Sequence, residues 1–237
     1  MSRLTSLAPP DGGFDTSALC FAMSTTRPVE RFEPSDHITR WHARLLIPGT
    51  LAEEIWPDHP PLDKGDADDS QSPASTLHHL YSDDHVVAKA QVCAVRLYAG
   101  SNLFEVLDCD SADMTKFISL TDGDYLTEDL EESIEGFGSQ LVILERAIVS
   151  PEWRGLHLGP LVAALALEAV GGDARLFACH PGAFEFEQGT IERDTADKRL
   201  ANLWTKFGFT IPHGSLLLAD PAVTDWGAMA EKLCGED

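Results

Sequence analysis

The turn at residues 154–159 combines the residue types best suited to binding chemistry. Arg154 and Gly155 follow a strand-like apolar run, and Gly159 and Pro160 open a second run with helical spacing. A tight turn that leads into a helix presents unpaired backbone N–H groups and the positive end of the helix dipole. Such a turn suits an anion such as a pyrophosphate, and Arg154 would add a fixed cation. The alternative is a capped turn with Arg154 in a surface ion pair.

Two residues near this turn could act as a general base. Glu145 and Arg146 interrupt an apolar run, and neighbouring residues of a strand are expected to point to opposite faces. A charge on a covered strand is costly unless it is paired or functional. Glu145 is therefore a candidate base, with a structural ion pair as the alternative. His180 is a second candidate base, because histidine titrates in the range useful for proton transfer.

Strands and helices of definite type must position these residues. The apolar run at 139–149 predicts a central strand covered on both faces. A helix at 160–170, a strand at 174–179 and a helix from about Asp194 to Gly208 follow in order. This alternation predicts an α/β or α+β fold with a mixed sheet.

The remaining segments are predicted from alternation, helical spacing and capping residues. Strands are expected at 41–47, 85–98, 103–107, 209–211 and 215–219, and helices at 50–56, 111–120 and 224–233. The predicted organisation comprises a partly disordered N-terminal arm at 1–36, a domain at 37–220 with an acidic loop at 57–76, and a C-terminal helix at 221–237.

Two segments together resemble the GNAT superfamily of acyl-CoA-dependent N-acyltransferases. The first reads Val149-Ser-Pro-Glu-Trp-Arg154-Gly155-Leu156-His157-Leu158-Gly159 and is similar to the family's Arg/Gln-x-x-Gly-x-Gly/Ala signature. The second, Leu-Trp-Thr-Lys-Phe-Gly-Phe ending at Phe209, is similar to the family's Tyr-x-x-x-Gly-Phe motif. His157 replaces the middle glycine of the signature, and Trp204 stands where the family commonly has a tyrosine that protonates the leaving thiolate. Indole cannot do so.

The resemblance implies a mixed, mostly antiparallel central sheet flanked by helices, with acetyl-CoA or another acyl-CoA as cofactor. It further implies direct acyl transfer from this cofactor to an amine, and the amine belongs to a small molecule or to a peptide. The alternative is an inactive acyl-CoA-binding sensor or interaction module. By analogy with the family, the cofactor-binding residues are expected to lie beside the pantetheine and the pyrophosphate of CoA, and one asparagine on a helix is expected to join them. They are Ala147, Ile148, Val149, Arg154, Gly155, Leu156, His157, Leu158, Gly159 and Asn202.

Composition excludes several classes of function. The formal net charge of −22 disfavours nucleic-acid binding and attraction to anionic membranes, and it could attract a cationic amine acceptor. Five widely spaced cysteines without a Cys-x-x-Cys pair favour a reducing, cytoplasmic location. No spacing of His or Asp matches a metal site. The long segment 180–199 could be a lid or an oligomer contact, such as a homodimer interface.

Overall fold

A seven-stranded mixed sheet organises the part of the chain that the computed structural model describes, residues 16–26, 35–49, 51, 85–183, 186–187 and 189–235. The strands are β1 (Cys20–Thr26), β2 (Ile38–Ile47), β3 (His85–Arg96), β4 (Thr121–Asp122), β5 (Tyr125–Leu126), β6 (Gln140–Val149), β7 (Ala174–Cys179), β8 (Ile211–His213) and β9 (Leu216–Ala219). The large sheet has the order β1-β2-β3-β6-β7-β9-β8, and β4 and β5 form a separate hairpin. Among the described strands of this sheet, β6 and β7 form the single parallel pair.

Helices cover both faces of the sheet. They are α1 (Leu103–Asp110), α2 (Glu128–Ser133), α3 (Leu158–Val170), α4 (Ile191–Lys206) and α5 (Trp226–Gly235). Five 3-10 turns accompany them, at Thr16–Ala18, Ser35–His37, Met114–Leu120, Pro151–Trp153 and Gly171–Asp173. The predicted fold class is confirmed: the sheet is mixed and mostly antiparallel, and it is flanked by helices.

Two hydrophobic clusters divide the core between the faces of the sheet. On the α3 face, helix α3 and the Trp226 end of α5 pack against alternate residues of β2, β3 and β6, including Val142 and Leu144. On the α1 face, α1 and the turn Met114–Leu120 pack against the intervening residues, such as Cys93 and Ile143. The period of two along β6 thus buries both sides of its first half, as expected for a central strand.

Three predicted segments have a different local structure. Residues 20–26, predicted to belong to the N-terminal arm, form the edge strand β1. The predicted strand at 103–107 is helix α1, whose buried residues recur at helical spacing and whose start is capped by the Asn102 side chain accepting from the Phe104 N–H. The predicted helix at 111–120 is a 3-10 helix over Met114–Leu120.

The other predicted strands and helices agree with the structure to within a few residues. Apart from Leu51, the predicted helix at 50–56 and the acidic loop at 57–76 lie outside the described residues. No helix in the described ranges combines the length and apolarity that crossing a bilayer requires.

Asp220 fixes the segment that leads into β6. It is 6% exposed, and its carboxylate accepts the N–H groups of Glu135 at 2.8 Å, Gly136 at 3.2 Å and Ala222 at 2.8 Å. Arg175, at the start of β7, donates to the carbonyl oxygens of Ile134 and Gly136. The end of β9 and the start of β7 therefore hold the entry to the central strand.

Replacing this carboxylate should destabilise the fold. Asp220→Ala leaves three amide N–H groups without their acceptor, so the free energy of unfolding is expected to fall by about 3 kcal/mol. Urea denaturation at neutral pH measures the loss. Asp122→Ala, at an exposed acidic position, is the matched control and should change stability by less than about 0.5 kcal/mol. A loss at Asp220 no larger than at Asp122 would show that the carboxylate does not fix this segment.

Candidate functional site

Strand β7 pairs in parallel with only the first half of β6. Their register runs from Gln140 opposite Ala174 to Leu144 opposite Cys179, where β7 ends. Strand β6 continues to Val149, and on its other side it stays paired with β3. Within the described residues, no strand therefore lies beside residues 145–149 of β6 on the side where β7 flanks the first half of the strand. Backbone N–H and C=O groups along this edge can bind an extended ligand.

The turn after β6 is built around two residues in the left-handed conformation. Gly155 has φ +91°, which glycine adopts without steric cost. His157 has φ +55° and is the residue before helix α3, and its ring lies beside that of Phe207 with centroids 5.8 Å apart. Trp153 is 3% exposed and anchors the turn in the core of the α3 face.

This turn presents donors for an anion. The first hydrogen bond of helix α3 runs from the Leu161 N–H to the His157 carbonyl oxygen. The N–H groups of 155–159 precede it and donate to no acceptor in the described part of the chain. Arg154 is exposed, and its Nε lies 3.4 Å from the Val149 oxygen, which places the guanidinium at the end of β6. Amide donors, the helix dipole and this cation can together bind phosphate groups.

Gly159 allows α3 to start close to the end of β6. A Cβ atom at this position would lie 3.3 Å from the Val149 side chain. The sequence predicts Pro160 as the first residue of the helix. In the structure the helix begins at Leu158, so Pro160 is its third residue. Its missing N–H removes no helical hydrogen bond there, because the first turn has no intrahelical acceptors.

A β-bulge places Glu145 and Arg146 on the same face of the sheet. Leu144 lies opposite Val92 and Arg146 opposite Gln91, so Glu145 is the extra residue. Both side chains point to the α1 face, where Glu145 contacts Cys93 and Arg146 lies 3.6 Å from Asp113. The predicted placement on opposite faces is wrong, because strict alternation fails at a bulge.

The Glu145 carboxylate belongs to a hydrogen-bonded cluster. Its Oε2 accepts from Gln91 Nε2 at 2.8 Å, from the Cys93 thiol at 3.2 Å and from Arg40 Nε at 3.4 Å, and the side chain is 12% exposed. Arg40 also pairs with Asp110 at 2.5 Å. Burial raises the pKa of the Cys93 thiol, which keeps it a neutral donor. These contacts favour a structural role for Glu145.

His180 directly follows Cys179, which packs in the core of the α3 face, so strand alternation directs His180 to the α1 face, where Glu145 also lies. Its Nδ1 atom is buried and has no hydrogen-bond partner among the described residues. Burial lowers the pKa of the His180 imidazole, and the Lys116 ammonium lowers it further. The neutral ring is thus available to accept a proton near the point where β6 and β7 separate.

The second motif contributes packing. Trp204 is 8% exposed and meets Phe209 edge to face, with ring centroids 6.1 Å apart. The indole is a core side chain of the α3 face and offers no proton to a leaving group. Asn202 lies exposed on α4. Among the described residues, no hydrogen bond joins its side chain to the turn at 154–159.

The structure brings most of the sequence-predicted residues to one end of the sheet. Ala147, Ile148, Val149 and the turn 154–159 form a continuous path, and Glu145 and His180 lie beside its start. Arg40, Gln91 and Asp113 also belong to this region, and sequence reasoning missed them. Alternation along β2 and β3 could have indicated the face that Arg40 and Gln91 occupy, but nothing local links Asp113 to β6.

Comparison with protein-family models, with curated proteins and with solved structures finds no match for the chain. Within the described residues, no group of three or more His, Cys, Asp or Glu side chains is arranged to hold a metal ion. The function is therefore inferred from the geometry of the β6 end, the turn and the α1 face.

The environment of His180 predicts a pH-dependent stability. The unfolded chain protonates this residue below about pH 6.5, whereas the folded state does so only at lower pH because its pKa is lowered. The stability contribution is complete above about pH 6.5 and declines as pH falls. Between about pH 7.5 and about pH 5.5, the free energy of unfolding should fall less in His180→Gln than in the wild type. Urea titrations at both pH values test this, and an equal fall in both proteins would contradict it.

Proposed function

We propose that this protein is an acyl-CoA-dependent N-acyltransferase, with acetyl-CoA as the expected donor and an amine as the acceptor. The observation that carries the proposal is the separation of β6 from β7 at Leu144 and Cys179, immediately before a donor-rich turn. An open strand edge suits the amide groups of a pantetheine chain, and the turn at 154–159 suits a pyrophosphate. The resemblance of these residues to the GNAT signature supports the same assignment.

The residues present fit this donor along its length. The edge at Ala147, Ile148 and Val149 would hold the pantetheine, and the amides of 155–159 with Arg154 would hold the phosphates. Since the acidic surplus of the chain opposes anion binding at long range, the positive field must be local. Arg154 and the α3 dipole supply it.

The expected chemistry is direct transfer. A bound acyl-CoA would supply a thioester carbonyl as the electrophile. His180 would accept the proton that the amine loses on attacking this carbonyl. Water would protonate the thiolate leaving group, because Trp204 is buried in the core and cannot. Glu145 acts by fixing the bulge through Gln91, Cys93 and Arg40.

A second candidate is an acyl-CoA-binding module without turnover. Two observations favour it: Trp204 fills the position of the family's proton donor, and the Glu145 carboxylate is already engaged by three donors. Both candidates require the same cofactor site. A cytoplasmic location is part of either proposal, since all five cysteines are free.

Arg154 should contribute to donor binding. Arg154→Gln is expected to raise the Kd for acetyl-CoA about tenfold, because one charge-assisted phosphate contact is lost. Calorimetric titration measures the change. Arg96→Gln, an exposed arginine at the opposite end of the sheet, is the matched control and should leave the Kd unchanged. Absence of binding at millimolar acetyl-CoA in the wild type would rule out both candidate functions.

A thiol-release assay across a panel of amines should distinguish the catalytic role of His180 from the structural role of Glu145. His180→Gln should lower kcat about a hundredfold with an unchanged Kd for acetyl-CoA, as expected on losing a general base. Glu145→Gln should retain most of the turnover and lower the free energy of unfolding by about 1–3 kcal/mol. The reverse pattern would assign the base to Glu145. Binding without turnover on any amine would favour the second candidate.

A further inference from the structure

Cations gather on the α1 face beside the end of β6, although the chain has only 17 Lys and Arg against 39 Asp and Glu. On β2, Ala43 and Leu45 are buried in the core of the α3 face, so the alternate residues of this strand point to the α1 face. On β3, Ala88 and Ala90 are buried in the same core, and Lys89 lies between them. We name the resulting group the basic face. Its members are Arg40, His42, Arg44, Lys89 and Arg146.

Two of these cations lie directly opposite each other. Arg44 and Lys89 are cross-strand partners in the β2–β3 register. Neither forms an ion pair with a carboxylate in the described ranges. Like charges in this position destabilise a sheet. An anion bound between the two side chains would offset the repulsion.

The basic face borders the proposed reaction site. Lys89 lies opposite Ile148, and Gln91 lies opposite Arg146. The basic face therefore adjoins residues 145–149 of β6, whose edge on the β7 side is open to an acyl donor. Ile148 is 47% exposed and Lys89 is exposed, which leaves this end of the α1 face accessible to a ligand. Further along the same face, Cys93 and Ile143 are covered by the α1 core.

The nearby carboxylates are already matched with donors. Asp110 pairs with Arg40, and Glu145 accepts from Gln91, Cys93 and Arg40. Asp113 lies 2.8 Å from Lys116 and 3.6 Å from Arg146. Arg44 and Lys89 thus add positive charge that these acids do not neutralise.

We infer that the acceptor is an amine that also carries an anionic group, a carboxylate or a phosphate, and that the basic face binds this group with Arg44 and Lys89 at its centre. The inference rests on the proposed N-acyltransferase function and specifies its second substrate. It differs from the expectation of a cationic acceptor, because the carboxylates that the described residues bring to this face are already paired with Arg40, Arg146 and Lys116. Neighbouring cations also disfavour the protonated ammonium, so that more of the bound amine is in its nucleophilic form.

Matched pairs of amines test the inference through thiol release with acetyl-CoA. The pairs are β-alanine with 3-aminopropanol, glycine with glycinamide, and 2-aminoethyl phosphate with ethanolamine. The anionic member of at least one pair should have a kcat/KM at least about tenfold higher. The first two pairs report on a carboxylate and the third on a phosphate. Equal kcat/KM values within all three pairs would overturn the inference.

Variants assign the preference to the basic face. Arg44→Gln and Lys89→Gln should each raise the KM of the anionic amine about tenfold. The KM of the neutral amine and the Kd for acetyl-CoA should stay unchanged. Arg96→Gln removes a cation from the same strand, at its exposed far end, and should change none of these values. Retention of the full anion preference in the Arg44→Gln, Lys89→Gln double variant would overturn the inference.

A binding measurement separates this inference from the proposed function. Inorganic phosphate, added at constant ionic strength, should raise the Tm of the wild type and of Arg96→Gln more than that of the double variant. This result would support the anion site even if acetyl-CoA fails to bind, which would refute the acyltransferase alone. Equal shifts in all three proteins, or no shift in any, would overturn the anion site and leave the acetyl-CoA titration to decide the proposed function.

Discussion

The backbone of β6 has hydrogen-bonding strands on both sides along only part of its length, and the candidate site depends on this constraint. Up to Leu144, β3 and β7 flank the strand, and beyond it β3 alone remains. Backbone polar groups must find partners in other strands, water or a ligand. Because β7 stops at Cys179, an edge in the interior of the sheet is available to a ligand. The same strand leads directly into the turn at 154–159, which extends that edge with further donors.

A local irregularity of the same strand determines its electrostatics. The bulge at Glu145 turns two consecutive charged residues toward the α1 face. There they meet Arg40 from β2 and Asp113 from the turn after α1. Bulges re-aim side chains at the cost of a regular ladder. In this protein the bulge lies within one residue of the point where β6 and β7 separate, so the charged cluster and the open edge are adjacent.

The charge of the whole chain is a poor guide to the charge at the site. A net charge of −22 describes the average surface, whereas Arg44 and Lys89 lie opposite each other on one accessible face. Electrostatic interactions over a few ångströms depend on the nearest groups, because water and salt screen the more distant ones. Anion binding at the turn and at the basic face is therefore compatible with an acidic protein.

The sequence by itself determined the central strand, helix α3, helix α4 and the turn with Arg154. These features depend on apolar spacing and on Pro and Gly, and such signals act over a few residues. The mixed, mostly antiparallel sheet also followed, from the order of elements and from the family resemblance. The strand predicted at 103–107 is part of helix α1, since a short apolar run fits either structure until the partner surface is known.

Only the tertiary structure decided which charges meet. The bulge at Glu145 depends on its register with β3, and the place of His180 near Lys116 depends on how the turn Met114–Leu120 packs on the sheet. The pairing of Arg44 with Lys89 joins residues that the chain separates by a long connection. Local propensity contains no information on such pairings, because they are selected by the burial of both faces of the sheet together.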